Sequence, residues 1–303
     1  MGQNPEGPEG PKSRPGVDRT EDWALENNIR CLSAACRQLG LDFDYLDPDH
    51  NLVRIVLGGQ AHYFQLNRTP FNAESVAGLC KDKYHTYCLL KDAVRCPRTL
   101  AFLSYRVDAR YTRYVRYRSA SEIVAAVEAE LGYPLIVKSN RGSFGSNVFL
   151  CHAARDTQTA IETVFDKHSH LYDYVALAQE FIPTAHEYRL VCYKQTPVLV
   201  YARSGDPSTF NARYWEGTSA RAILIEHAAL LDELAAFVRP VYGLLDLGFV
   251  GFDIVRAVDG RLYLLELNSG PRFDHVIATN GTRPVIDMYK TVLSAWISEE
   301  SAV

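Results

Sequence analysis

Residues 248–271 read GFVGFDIVRAVDGRLYLLELNSGP. Two apolar, strand-like runs flank Asp259-Gly260, and an Asp-Gly pair between such runs is a strong hairpin signal. A two-residue turn there sets Val258 against Arg261. Counting outward, Asp253 falls opposite Glu266. Two carboxylates opposed on one face repel each other, so the arrangement makes sense with a cation between them. Asn268 lies two residues beyond Glu266 and points to the same face. Asp, Glu and Asn offer the hard oxygens Mg²⁺ takes, and Mg²⁺ is commonly held by few carboxylates plus nucleotide phosphates. The alternative is a solvated face of an antiparallel hairpin.

Working outward, the second informative stretch is YPLIVKSNRGSFGSNVFL, residues 133–150. A strand ending at Lys138 runs into a glycine-containing loop, and a second strand leaves it. Gly142 and Gly145 permit backbone shapes that turn N–H groups inward, as phosphate-wrapping loops do. No GK[ST] follows and a strand comes next, so this is not a Walker loop. An ordinary glycine hairpin is the competing reading.

The whole chain bounds the answer. It has 303 residues, 47% hydrophobic and 22% charged, with a net charge of −4. That is an ordinary globular composition with room for two or three small domains. The acidic balance argues against a nucleic-acid or membrane partner, and no apolar run approaches the ~20 residues of a membrane span. Seven scattered cysteines without a CxxC pair suggest a reduced, cytoplasmic setting. Cys151-His152 has no partners in a metal-site pattern, and His168 and His170 read as loop residues. Residues 1–19, rich in Pro, Gly and charge, are expected to be a disordered tail without a signal peptide's apolar core.

In chain order, Trp23 to Leu39 has helical spacing and Gly40 stops it. LVRIVLGGQAHYFQLN reads as a hairpin turning at Gly58-Gly59. Glu74 to Ala93 reads as one amphipathic helix carrying Lys81 and Lys83. Arg98 to Arg118 interleaves Tyr with Arg, which could stack single-stranded nucleic acid or merely sit at exposed edge positions. A helix from Ser121, its N-cap, to Gly132 precedes the lysine strand. Ala154 to Lys167 is helical, Tyr174 to Ile182 a buried strand, and LVCYKQTPVLVYAR a hairpin with Arg189 and Arg203 at its two sequence ends. The polar loop 204–221 is long enough to be functional. Glu226 to Leu245 is helical with a kink near Pro240, and Val285 to Ile297 closes the chain as a helix.

The order of these pieces is specific: a helix lysine, a strand lysine with a Gly loop, a strand ending in QEFI, an Arg-bearing hairpin, then Asp…Glu-x-Asn. It resembles the ATP-grasp superfamily, most closely the ribosomal-S6 glutamate ligase, cyanophycin synthetase and glutathione-synthetase-like branch. The resemblance covers about residues 72–297. It implies an α+β ATP-grasp fold, with two α+β subdomains clasping ATP and a short N-terminal α/β lobe. The implied division is a lobe over 20–71 and an ATP-grasp domain over 72–303, split into an ATP-binding subdomain over about 100–182 and a metal and catalytic subdomain over about 183–303.

Carried over by the same resemblance, Lys83 and Lys138 are the phosphate lysines, and Gly142, Ser143 and Gly145 the loop over ATP. Glu180 and Ile182 border adenine, and Glu187 resembles the ribose-binding acid. Asp253, Glu266 and Asn268 are the Mg²⁺ ligands (Mn²⁺ as an alternative). Arg189 and Arg203 stand near the transferred phosphate. The implied activity is ATP-dependent amide formation between a carboxylate, activated as acyl phosphate, and an amine. The substrates would be small-molecule amino acids or peptides, and a homodimer is a family-level expectation. A small-molecule kinase and a silent ATP-binding module are the alternatives. Two departures bear on the substrate. Gly251 replaces the arginine that D-alanine–D-alanine ligases carry two residues before the metal aspartate. Asn268-Ser-Gly-Pro-Arg272 replaces Asn-x-x-Pro-Gly, so Arg272 could bind a substrate carboxylate in two-point fashion or merely pair with a nearby surface acid, and Arg213 in the long loop is a further substrate-side candidate.

Overall fold

The computed structural model describes residues 25–143, 145–204 and 221–300. The expected tail, Trp23, and the 205–220 stretch with Arg213 lie outside the described residues.

Three antiparallel sheets organise the chain. The first is β1 (Phe43–Tyr45), β2 (Leu52–Leu57) and β3 (Gln60–Gln65), following α1 (Asn27–Leu39). Gly40 ends α1 in the left-handed region at φ 67°, a shape that costs glycine little. The second has the order β4-β7-β5-β6, from β4 (Thr99–Leu103), β5 (Leu135–Ser139), β6 (Val148–Cys151) and β7 (Val175–Glu180). Helices α4 (Ala120–Glu130) and α5 (Ala154–Val164) cover it through Ile123, Val127, Ile161 and Val164. The third has the order β10-β9-β8-β11-β12. It comprises β8 (Thr184–Tyr193), β9 (Thr196–Ser204), β10 (Arg221–Leu224), β11 (Phe249–Ala257) and β12 (Leu262–Asn268).

The third sheet is covered on both faces, because alternate residues of its strands enter different cores. Val191, Tyr193, Tyr201 and Phe249 pack with α1, the first sheet and α8 (Arg283–Glu300). Leu190, Cys192, Phe252 and Ile254 pack with α6 (Ala228–Val238) and its 3₁₀ extension over 239–243. The two ends of the described chain thus share one core. Toward the open end of β8 and β11, the first face changes from apolar to charged residues.

Several local expectations are corrected. The 74–93 helix is two helices, α2 (Glu74–Lys81) and α3 (Lys83–Leu90), because Asp82 is extended at φ −100°, ψ 96° and caps α3 by accepting from His85 N at 3.0 Å. The N-cap of α4 is Ser119 rather than Ser121, accepting from Glu122 N at 3.2 Å. The carboxylate hairpin does not close on two residues. Ala257 N–H donates to Arg261 O and Gly260 N–H to Ala257 O, with Gly260 at φ 86°, so the loop is Val258-Asp259-Gly260. Arg256, Val255 and Ile254 therefore face Leu262, Tyr263 and Leu264, and a bulge at Leu265 shifts the register back by one. Asp253 still faces Glu266, through two offsets that cancel. After β12, α7 (Asp274–Asn280) leads into α8. Among the described residues, no helix is long and apolar enough to cross a membrane.

A candidate nucleotide and metal site

The charged face is a row across four neighbouring strands. Arg203 on β9 faces Glu187 on β8, Arg189 on β8 faces Asp253 on β11, and Asp253 faces Glu266 on β12. The hairpin that separates Arg189 and Arg203 in sequence folds back and makes them near neighbours. Arg189 holds Asp253 in a bidentate pair, its Nε to Oδ1 and Nη2 to Oδ2 at 2.6 Å. Both side chains are more than nine-tenths buried. Arg203 pairs with Glu187 through Nη1 and reaches Asp253 Oδ1 through Nη2 at 3.4 Å. The charges alternate from Arg203 through Glu187 and Arg189 to Asp253, which holds these acids in an interior that would otherwise disfavour them.

Gly251 lies on the same face, two residues before Asp253. A Cβ there would stand 3.1 Å from Arg189 Cδ and 3.2 Å from Pro271 Cβ. The glycine leaves the space in which the Arg189 side chain lies, so an arginine at 251 would compete with Arg189 for it.

Asn268 reaches both acids, with Nδ2 at 3.4 Å from Asp253 Oδ2 and 3.3 Å from Glu266 Oε1. Rotating that amide would turn Oδ1 toward the same point. Two carboxylates and one amide oxygen are hard donors suited to Mg²⁺, and too few to cage it alone. A shared ion completed by phosphate oxygens is what this set fits. Consistently, among the described residues no group of three His, Cys, Asp or Glu side chains forms a metal cluster.

The cations come from two other elements. Lys83 opens α3, where the break at Asp82 places it. Its Nζ lies 3.4 Å from Glu266 Oε2 and donates to Gly142 O in the glycine loop. Asn140 ties that loop to α3, accepting from Tyr84 N at 2.9 Å. Lys138 is buried at the end of β5 and donates to Gln179 Oε1 at 2.9 Å. Gln179 in turn donates to Thr99 Oγ1 at 2.8 Å, and Thr99 to Pro97 O at 2.9 Å. Burial, joined by the Lys83 ammonium, brings Lys138 down to about 8. Burial works against the charge on Glu266, yet Lys83 and Lys138 hold it well below the usual carboxylate range. About a quarter of the Glu266 side chain (27%) still faces the cleft.

Beside these groups, a small cavity lies between α3, the second sheet and β12. Thr86, Tyr87, Cys96, Thr99, Gln179 and Leu264 contribute to its wall along with Lys83 and Glu266. None of those six is a sequence candidate. They carry no motif, and only the packing of α3 between two sheets brings them together.

The remaining candidates divide. Gly142 is tightly packed, since a Cβ would lie 3.0 Å from Ser139 Cβ and 3.2 Å from Ser146 O. Gly145 needs its freedom at φ 61°, and Ser143 O accepts from Ser146 N at 3.1 Å inside the same loop. Ile182 packs with Val255, Ala257, Tyr263 and Leu265. Glu180 is exposed at the end of β7, its carboxylate accepting from Arg98 N at 3.2 Å. Arg272 is exposed and lies near Glu26, the N-cap of α1, whose carboxyl burial pushes up and Arg272 only partly offsets.

The glycine loop, two lysines and a three-oxygen face thus meet at the junction of two α+β layers. A RimK-like ATP-grasp domain model matches residues 82–292. The chain belongs to the RimK-like ATP-grasp family. Similar proteins include a probable alpha-L-glutamate ligase of Aeromonas salmonicida (strain A449), 30% identical over 152 residues, covering 50% of this chain and 47% of that protein. A probable alpha-L-glutamate ligase of Shewanella halifaxensis (strain HAW-EB4) is 28% identical over 223 residues, covering 73% of this chain and 43% of that protein. The chain spans about half the length of the curated relatives it matches. Among solved structures, a bifunctional glutathione synthetase from Pasteurella multocida aligns with TM-score 0.53 at 13% identity, covering 89% of this chain and 44% of that one. VanG D-Ala:D-Ser ligase from Enterococcus faecalis aligns with TM-score 0.52 at 17% identity, covering 72% and 62%. At such identities these likenesses show the ATP-grasp fold alone.

Proposed function

We propose that this chain is an ATP-dependent carboxylate–amine ligase. The observation that carries the proposal is the convergence of Lys83, Lys138, Asp253, Glu266 and Asn268 on one cleft. Under this reading Lys138 and Lys83 bind the nucleotide phosphates, and the glycine loop over 140–147 lies along them. Asp253, Glu266 and Asn268 would hold Mg²⁺, which supplies charge neutralisation at the transferred phosphate. The domain division expected from sequence fits this role, with the second sheet as the nucleotide layer and the third as the metal layer.

A substrate carboxylate would attack the γ-phosphorus, forming an acyl phosphate and releasing ADP. An amine would then attack the acyl carbon, forming the amide and releasing phosphate. The developing oxyanion needs fixed positive donors. Arg203 suits that role, because its guanidinium lies beside the row's acids with part of its surface open. Arg189 is committed to Asp253 on two nitrogens, so its role would be to fix the metal carboxylate. The name shared by the relatives points to glutamate as one substrate, with a second amino acid or a peptide as the other.

Phosphate release from ATP and Mg²⁺ should be measured across glutamate, other amino acids and short peptides, singly and in pairs, with mass spectrometry of the products. The ligase reading expects release that needs an acid and an amine together, and a product mass equal to their sum minus water. A phosphorylated hydroxyl product with ADP and no free phosphate would replace it with a kinase. Nucleotide binding without turnover on any pair would favour a silent module.

A further inference from the structure

Residues 110–118 read RYT RYV RYR, three consecutive Arg-Tyr-Xaa triplets. The segment Tyr105–Arg118 holds five arginines, four tyrosines and one acid, Asp108, in a chain whose net charge is −4. The repeat meets a matching backbone. Residues Ala109–Tyr114 form a 3₁₀ helix, in which residues three apart eclipse each other. Arg110 and Arg113 therefore share one row, and Tyr111 and Tyr114 the next. All four are exposed, Tyr111 by 44% and Tyr114 by 58%.

Each tyrosine supports its neighbour. Arg110 lies over the Tyr111 ring at 4.8 Å, Arg113 over Tyr114 at 4.7 Å and Arg116 over Tyr117 at 5.4 Å. The ends are anchored, with Tyr105 against Phe165 and Tyr117 against Phe102. Among the described residues the only carboxylate paired with a guanidinium of this segment is Asp108, at 3.6 Å from Arg110. A core needs no such row, and a solvated face needs no ordered stacking.

The segment also has a definite place. It leaves β4 after Leu103, which pairs with Val175, while the glycine loop leaves β5 after Ser139, which pairs with Ala176. Ser104 N–H donates to Tyr174 O and Asn140 N–H to Val175 O. Both segments therefore emerge at the same end of the nucleotide sheet.

We propose that this Arg-Tyr strip is a docking surface for an acidic peptide segment in extended conformation. Three residues of 3₁₀ helix rise about 6 Å. Alternate side chains of an extended peptide stand about 6.6 Å apart on one face. Two carboxylates spaced so on a peptide thus meet Arg110 and Arg113 nearly in register, with Arg116 following past the helix end, and arginine binds carboxylate in planar, two-point fashion. A nucleic-acid strand fits less well, because one face of each ring already carries a guanidinium and the rest of the molecule is acidic. Binding does not depend on the ligase reading. The further step, that the bound peptide is a substrate led toward the glycine loop, rests on it.

The test uses the full chain, fluorescein-labelled hexaglutamate, and the triple variant Arg110→Gln, Arg113→Gln, Arg116→Gln. Polarisation is measured without nucleotide at low salt, with hexaglutamine and oligothymidylate as competitors. Each exposed ion pair contributes little, so three together are expected to weaken binding on the order of tenfold. Added salt should weaken it in the parent chain and hardly at all in the variant. Unchanged circular dichroism and melting would show that the variant keeps its fold. Equal binding by parent and variant overturns the proposal. Competition by oligothymidylate that exceeds hexaglutamate also overturns it, in favour of nucleic acid. A turnover assay separates the two readings. Peptide binding lost in the variant with no ligation in either chain leaves the surface standing without the ligase. Ligation with the same KM for peptide in both chains leaves the ligase standing without the surface.

Discussion

Lys138 is the residue whose surroundings make the sharpest demand. Its ammonium is buried, next to Lys83, and burial brings its pKa down to about 8 from the ordinary lysine value of 10.5. The unfolded chain therefore binds more protons between those two values, and the folded state gains stability as pH rises through that window. The proposed nucleotide site would have the opposite interest, because a neutral amine is a poor partner for phosphate. The KM for ATP is expected to rise above about pH 8, approaching tenfold per pH unit, with that limb removed in Lys138→Arg. A flat KM from neutral pH to 10 in the parent chain would remove Lys138 from the phosphate site. Glu266 gives the complementary case at the acid end of the site. Glu266→Gln keeps size and shape but removes one of the two carboxylates facing the cleft. Mg²⁺-dependent turnover should fall by at least about a hundredfold, the scale at which lost electrostatic stabilisation shows, while far-ultraviolet circular dichroism stays the same. Normal turnover in this variant would falsify the metal assignment.

At the scale of elements, the hairpin that carries the acids is held by contacts from far along the chain. Asn72 Nδ2 donates to Phe249 O at 2.6 Å and Gly248 N–H donates to Asn72 Oδ1 at 2.9 Å. Asn67 donates to Gly270 O at the other end. These contacts explain why both positions are glycine. A Cβ at Gly248 would stand 2.0 Å from Phe71 O, and one at Gly270 2.7 Å from Asn67 O. Gly248→Ala must displace backbone, so it should cost about 1–3 kcal/mol or more, as overpacking does. Urea unfolding would show a lower midpoint at unchanged slope; an unchanged midpoint would mean that the 67–72 segment yields freely. The same elements show what local sequence can and cannot say. Strand pairs and α1 were legible because alternation, Asp-Gly and Gly40 are local signals. The break at Asp82 was not, because the apolar pattern runs on through it and masks the local cap that Asp82 forms with His85 N. Asp253 and Glu266 were correctly set face to face only because a three-residue loop and the Leu265 bulge cancel. The Arg-Tyr triplets were visible as composition, but their period gains meaning only once the 3₁₀ helix is known.

At the scale of the whole molecule, the candidate site belongs to no single layer. Lys138 and Gln179 stand on the second sheet, Lys83 on α3, and Asp253, Glu266 and Asn268 on the third sheet. The lining residues Thr86, Thr99 and Leu264 are ordinary in sequence and become a cavity only when these layers meet, which is why they escaped notice. A nucleotide bridging the layers would bind the folded arrangement and not the unfolded chain. Its binding should therefore appear as stability, about 2.7 kcal/mol at a hundred times Kd. For a chain of this size that corresponds to a rise in Tm of roughly 4–5 °C. Thermal unfolding with ATP and Mg²⁺ should show that rise in the parent chain. Lys83→Met should lose most of it at the same ligand concentration, because Lys83 is the contact that links the glycine loop to Glu266. The melting point without ligand should move little, since removing Lys83 takes away one neighbour of Glu266 and leaves Lys138 in place. An equal rise in parent and variant would mean that the nucleotide sits on the second sheet alone, and that the metal face is joined to it by something other than Lys83.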